Sequence, residues 1–186
     1  MFLGQPVATD EEAMHMALEL AQKAADLGEV PVGALVVQHG HVIGEGYNCS
    51  ITSLDPSAHA EMQAIRCAAK TIGNYRLSEA CLYVTLEPCT MCFGAMTHSR
   101  IERLVYGAIE PKAGVIESAI QLPQQAYFNH YFDVQGGMLA QECGQLLSDF
   151  FAQRRAAKKR LKLMGSEPAV KKSGSKDPQT LRGVEE

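Results

Sequence analysis

Apolar residues recur along this chain with two periods, one helical and one alternating, and these periods divide it into helices and short strands. Residues 13–25 carry apolar side chains at helical spacing behind Thr9 and Glu12, which form a capping-box pattern, and Gly28 ends the run. Residues 33–37 and 41–45 flank a His39-Gly40 turn and predict a β-hairpin. Asp55-Pro56 is a cap followed by a first-turn proline and predicts a helix reaching about Lys70, ahead of Gly73. A short apolar strand begins at Cys81 and includes residues 82–86. Pro88 then suits the first position of a helix, with Cys89 and Cys92 in its opening turn. Residues 103–106 predict another strand, and residues 131–134 the last, before Gly136-Gly137. From about Leu139 a long helix places Leu146, Leu147, Phe150 and Phe151 on its apolar side. Strands alternating with helices predict an α/β protein, a three-layer α/β/α sandwich around one sheet.

From Gly165 onward Gly, Ser, Pro and Lys dominate, so the expected division is a folded domain over 1–163 and a disordered tail over 164–186. The length of 186 residues suits one domain with a real core. No uninterrupted apolar run is long enough to span a bilayer, and residues 1–10 lack the basic and apolar regions of a secretory signal, so no membrane association is expected. Six cysteines without such a signal point to a reducing compartment, the cytoplasm, and to free or metal-bound thiols.

The net charge of −4 conceals an uneven distribution. Residues 154–186 hold ten Lys and Arg against four Asp and Glu, whereas residues 1–153 hold seven against seventeen. An acidic body is a poor general attractant for nucleic acid. The cluster Arg154, Arg155, Lys158, Lys159, Arg160 and Lys162 suits either phosphate contacts or a solvated helix end whose cations complement the helix dipole.

The chemistry is concentrated in His59-Ala60-Glu61 and, thirty residues later, Pro88-Cys89-Thr90-Met91-Cys92. One imidazole and two thiolates give zinc three protein ligands and leave the fourth tetrahedral position open, as in a catalytic site. Helix N-termini favour the thiolate form that metal binding requires. Glu61 is surplus to the ligand set. The pattern H-x-E followed by P-C-x-x-C is the signature of zinc-dependent nucleobase deaminases. A redox Cys-x-x-Cys pair leaves His59 without a purpose. A closed structural zinc needs a fourth ligand, and Cys49, Cys67, Cys81 and Cys143 lack paired spacing; each reads instead as a small buried hydrophobe. The expected reaction is hydrolytic, with zinc-bound hydroxide as nucleophile and Glu61 as the proton shuttle.

Flanking blocks carry a further resemblance. Glu29-Val30-Pro31-Val32-Gly33-Ala34, His59-Ala60-Glu61, Asn74-Tyr75-Arg76-Leu77, Leu86-Glu87-Pro88-Cys89 and Cys92-Phe93-Gly94-Ala95-Met96 resemble the bacterial tRNA-specific adenosine deaminases of the cytidine/deoxycytidylate deaminase superfamily. So do His98-Ser99-Arg100-Ile101, Tyr106-Gly107-Ala108, Pro111-Lys112-Ala113-Gly114 and Leu146-Leu147-Ser148-Asp149-Phe150-Phe151, and the likeness extends over roughly residues 10–155. The resemblance implies a cytidine-deaminase-like fold with a five-stranded mixed sheet, one Zn²⁺ per chain, a homodimer, and conversion of the wobble adenosine in a tRNA anticodon stem-loop to inosine. It implies that Asn48 hydrogen-bonds the target base and that Ala60 supports the reacting oxygen or the base through its backbone. By the same resemblance Glu110 and Phe150 contact flanking nucleotides, and Asn129 and His130 lie near the RNA. Four positions depart from the family pattern: Glu110 where Asp is frequent, Phe93 where a small residue is common, and Ala152 and Gln153 where basic residues often follow the Phe-Phe pair. The alternatives are a zinc-dependent deaminase of a free nucleoside, nucleotide or base of cytosine or guanine type, and a catalytically silent zinc-stabilised RNA-binding module.

Overall fold

Five strands make the central layer. They are β1 (Gly33–Gln38), β2 (His41–Tyr47), β3 (Ala80–Leu86), β4 (Arg103–Ala108) and β5 (Asp133–Gln135), in the spatial order β2-β1-β3-β4-β5. The computed structural model describes residues 1–164. β1 is antiparallel to both β2 and β3, while β3, β4 and β5 run parallel, so the sheet is mixed as expected. Along β1, Ala34 and Val36 enter one core and Leu35 and Val37 enter the other, the period-two consequence of a strand buried on both faces. Helices α1 (Asp10–Asp26) and α4 (Ala140–Met164) pack on one face; α2 (Ala60–Ile72) and α3 (Thr90–Ser99) pack on the other. The result is the expected three-layer α/β/α sandwich.

The local signals read as expected in several places. Thr9 Oγ1 accepts the Glu12 N–H at 3.2 Å and caps α1. His39 and Gly40 both have positive φ, 50° and 74°, as a tight two-residue hairpin turn requires. Gly46 of β2 allows the backbone of α2 to approach closely, since a Cβ there would lie 2.4 Å from the Ala60 carbonyl oxygen. This contact sets the distance between the sheet and the first turn of α2, where His59-Ala60-Glu61 sits.

Three boundaries differ from expectation. Helix α2 starts at Ala60 rather than at Pro56, because Asp55 closes its own turn: its Oδ1 accepts the Ser57 N–H at 2.8 Å. Pro88 precedes α3 instead of opening it, and Cys89 is the N-cap. The last strand is Asp133–Gln135, an exposed edge, while Phe132 turns inward to pack on the core. On α4, Phe150 is buried and Leu146 and Leu147 are half-buried, but Phe151 is exposed, as are residues 152–162. That helix continues beyond the body it packs on. Met164 closes α4, and the rest of the expected tail over 164–186 lies outside the described residues. Of the cysteines expected to be buried hydrophobes, Cys143 is buried and Cys49, Cys67 and Cys81 are half-buried. No described helix is long and apolar enough to cross a membrane.

Candidate metal centre and substrate cavity

His59 and Cys89 are both N-cap residues with extended backbone, φ/ψ of −73°/155° and −87°/172°, and neither side chain makes a capping hydrogen bond. Their carbonyls accept the first helical bonds, from Gln63 and Phe93, so both backbones are committed to the helices while both side chains remain free. The two N-termini thereby aim at one point, and Cys92 joins from the first turn of α3. Cys89 Sγ lies 3.7 Å from Cys92 Sγ and 3.7 Å from His59 Nδ1, and Cys92 Sγ lies 3.6 Å from His59 Nδ1.

That triangle fits one metal ion. With Zn–S about 2.3 Å and Zn–N about 2.0–2.1 Å, tetrahedral angles put two sulfur ligands about 3.8 Å apart and sulfur and nitrogen about 3.6 Å apart. Among the described residues this is the group of His, Cys, Asp and Glu side chains close enough to hold a metal. The two thiols do not behave alike in the bare chain. The Cys92 hydrogen bond, helped by His59, draws the Cys89 thiol down to about 4, whereas the bond to Cys89 together with burial pushes Cys92 far up. A zinc ion held here would require both sulfurs as thiolates. The Cys89 thiolate also raises the His59 imidazole.

Glu61, 4% exposed, sits in the first turn of α2, and desolvation raises its carboxyl above the ordinary range. It lines a cavity of about 360 Å³ together with His59, Cys89, Asn48 and Glu110. Ala60 is fully buried at the first helical position. Asn48 is nearly buried, and its Nδ2 donates to Glu29 Oε2 at 3.4 Å. The Glu110 carboxylate accepts the Lys112 N–H at 3.0 Å within its own loop. Asn129, His130 and Phe150 stand outside this lining: Asn129 is exposed, His130 Nε2 bonds the Ile101 carbonyl at 2.7 Å, and Phe150 is buried beneath α4 with Arg154 over its ring. The departure at Phe93 is absorbed by packing, its ring meeting Phe128 at 5.0 Å and Phe132 at 5.3 Å between centroids.

Two buried carboxylates on the cavity wall had no role in the sequence reading. Glu29 is fully buried and receives the Thr52 N–H at 2.6 Å. Glu87 is 3% exposed; burial opposes its charge, but hydrogen bonds led by the Glu117 N–H outweigh that and hold its carboxyl below the ordinary range. Both stand in the family blocks, yet their partners are backbone and side-chain groups remote in sequence, which leave no trace in local spacing. Ser50, also on the wall, has a buried hydroxyl with no partner among the described residues.

A His-Cys-Cys set at zinc-ligand spacing beside a glutamate that is not a ligand is the signature of the zinc-dependent deaminases, and residues 7–108 match the cytidine and deoxycytidylate deaminase zinc-binding region. The chain is 55% identical over 151 residues to the tRNA-specific adenosine deaminase of Haemophilus influenzae, a match spanning 81% of this chain and 87% of that protein. The corresponding enzyme of Bacillus subtilis is 46% identical over 150 residues, spanning 81% of this chain and 93% of that one. A structure solved in work on A-to-I editing by tRNA:A34 deaminases at the wobble position superposes with a TM-score of 0.71 at 43% identity, covering 73% of this chain and 98% of that chain. A guanine deaminase of Nitrosomonas europaea superposes at 0.69 with 26% identity, covering 80% and 88%. This chain belongs to the tRNA-specific adenosine deaminases of the cytidine and deoxycytidylate deaminase superfamily.

Proposed function

We propose that this enzyme hydrolyses the wobble adenosine of a tRNA anticodon loop to inosine, with water consumed and ammonia released. The observation that carries the reading is the His59-Cys89-Cys92 triangle at zinc-ligand spacing beside a buried Glu61 on one cavity wall. When bound, zinc supplies Lewis-acid chemistry that lowers the pKa of a coordinated water toward about 7. Glu61 takes a proton from the attacking water and delivers it to N1 of the base, then takes the second proton from the new C6 hydroxyl and gives it to the departing amino group, which leaves as ammonia. Its raised pKa suits a group that must both accept and give a proton near neutral pH. Asn48, held by Glu29, presents its amide to the base, and the backbone of Ala60 supports the reacting centre.

An anticodon loop offers unpaired bases that can be turned into such a pocket at small cost. Glu110 lies on the cavity wall, where a nucleotide beside the target would rest. Phe150, Asn129 and His130 contact RNA beyond the cavity. The exposed cations of α4, from Arg154 to Lys162, contact phosphates. The enzyme works as a homodimer in the cytoplasm, where its tRNA substrate is found.

The likeness to a guanine deaminase favours a second reading, deamination of a free base. One assay separates the alternatives. Zinc-loaded protein is incubated with an anticodon stem-loop, free adenosine, free cytidine and guanine, and the products are digested and separated. Inosine from the stem-loop alone supports the proposal. Uridine from cytidine or xanthine from guanine supports the free-substrate reading, and no product from any of them supports a silent binding module.

A further inference from the structure

Glu87 follows the last residue of β3 and stands two residues before Cys89. Both of its carboxylate oxygens are engaged by a single segment. Oε1 accepts the backbone N–H groups of Ile116 at 2.9 Å, Glu117 at 2.9 Å and Ser118 at 3.1 Å. Oε2 accepts the Glu110 N–H at 2.9 Å and the Ser118 hydroxyl. Gly114 closes over it, since a Cβ at that position would lie 2.3 Å from Oε2. The backbone adds a bond from the Val115 N–H to the Pro88 carbonyl at 3.0 Å.

Residues 109–118 form neither helix nor strand, so their amides need acceptors from elsewhere. An ionised carboxylate offers about four lone-pair sites, and its bonds are roughly twice as strong as those of a neutral acceptor. A glutamine cannot replace it, because its NH₂ would face donors. Glu110 and Ala113, both on this segment, line the cavity that holds His59 and Glu61.

We propose that Glu87 is a positioning residue for substrate: its carboxylate fastens segment 109–118 to the chain entering the Cys89 helix, and so fixes the wall against which the RNA nucleotide rests. The proposal rests on the deaminase reading above and deepens it. It separates two functions on neighbouring residues, with Cys89 holding metal and Glu87 holding the wall.

The test uses the full-length zinc enzyme and the Glu87→Gln variant, with Ser118→Ala as a milder change that removes one donor. Zinc content, steady-state kinetics on the anticodon stem-loop, and amide hydrogen exchange are measured. For Glu87→Gln the expected result is an unchanged zinc content, faster exchange confined to 110–118, and a KM raised on the order of tenfold with kcat altered less, as befits lost charge-assisted bonds at a binding wall. Ser118→Ala should shift KM and exchange in the same direction by less. Unchanged exchange at 110–118, a loosened segment with unchanged KM, or a fall in zinc content and kcat at constant KM would each overturn the proposal. If the unmodified enzyme fails to act on the stem-loop, the deaminase reading fails, while the exchange measurement still decides whether Glu87 holds the segment.

Discussion

His59 Nδ1 and Cys89 Sγ lie 3.7 Å apart, and each residue is the N-cap of a different helix. The usual capping residues turn a side-chain oxygen back onto their own helix. Here the capping side chains face each other instead, so neither gives its own first turn a side-chain acceptor. His59→Ala should therefore lose zinc and activity together, whereas His59→Ser should add a helix-capping bond that the native chain lacks and still lose the metal. Metal analysis of the purified variants checks this. A His59→Ala protein that retained its zinc would remove His59 from the ligand set.

Glu61 shares the His59 helix turn but stands outside the ligand triangle. Glu61→Gln preserves size and polarity and removes only the ability to move protons. It should keep its zinc and lose activity by on the order of 10²–10⁴, the typical worth of general acid–base catalysis. Parallel zinc assay and single-turnover deamination check this; loss of metal in step with activity would make Glu61 a ligand.

The order of the elements and the identity of the zinc cluster were legible in the chain because both are written in local terms. A hairpin turn needs two residues that tolerate positive φ, and His39-Gly40 supplies them. A zinc site needs particular ligand types at particular spacings. The helix starts were misplaced by the same locality: Pro56 and Pro88 resemble first-turn prolines, but Asp55 spends its capping bond on Ser57, and the Pro88 carbonyl serves Val115. Tyr131 and Phe132 suggest a strand by their side chains, yet Phe132 is drawn to Phe93, a contact between distant positions. Glu29 and Glu87 stand in the resembling blocks but show no role there, since their partners lie far away in sequence.

Gly46 and Gly94 make a matched pair of tests. A Cβ at Gly46 would lie 2.4 Å from the Ala60 carbonyl and 2.5 Å from the Ala64 nitrogen, so alanine must push α2 and its His59-Ala60-Glu61 end off the sheet. The expected loss is about 1–3 kcal/mol, with weakened zinc retention. Gly94, inside α3, has open space at its Cβ position, so alanine there should stabilise by about 0.8–1 kcal/mol through helix propensity. Urea denaturation of both variants measures the contrast, and equal effects would contradict the close approach of β2 and α2.

Asp10 joins α1 to β4. Its Oδ1 accepts Arg103 Nη1 at 2.9 Å and the Tyr83 hydroxyl at 2.7 Å, and Oδ2 accepts Arg103 Nη2 at 2.6 Å. The Arg103 hydrogen bonds, against some desolvation and with help from Tyr83, hold the Asp10 carboxyl below its ordinary 3.8. A depressed folded-state pKa contributes stability above the unfolded value and loses it as pH falls through the folded value. Asp10→Asn should therefore be less stable than the native chain at pH 7, by on the order of 1 kcal/mol, and the difference should shrink below pH ~3.8. Comparing the two proteins at each pH cancels the acid protonation of the zinc ligands, which both share. A gap that stayed constant into acid would show that the pair contributes through packing instead.

Glu29 settles which way the Asn48 amide points. A carboxylate only accepts, so Glu29 Oε2 must face the Asn48 NH₂, and Thr52, donating to Oε1 at 2.6 Å, keeps the Glu29 carboxylate from turning away. On the proposed function, the Asn48 carbonyl oxygen is then left to face the base as an acceptor. In Glu29→Gln the partner can donate as well as accept, so either amide orientation is allowed and part of the population presents the wrong group. KM for the stem-loop should rise by roughly threefold to tenfold, while Asn48→Ala costs more. The double variant should be no worse than Asn48→Ala alone, because a positioning residue has nothing left to position. Strictly additive effects in that cycle would mean that Glu29 acts on substrate or stability independently of Asn48.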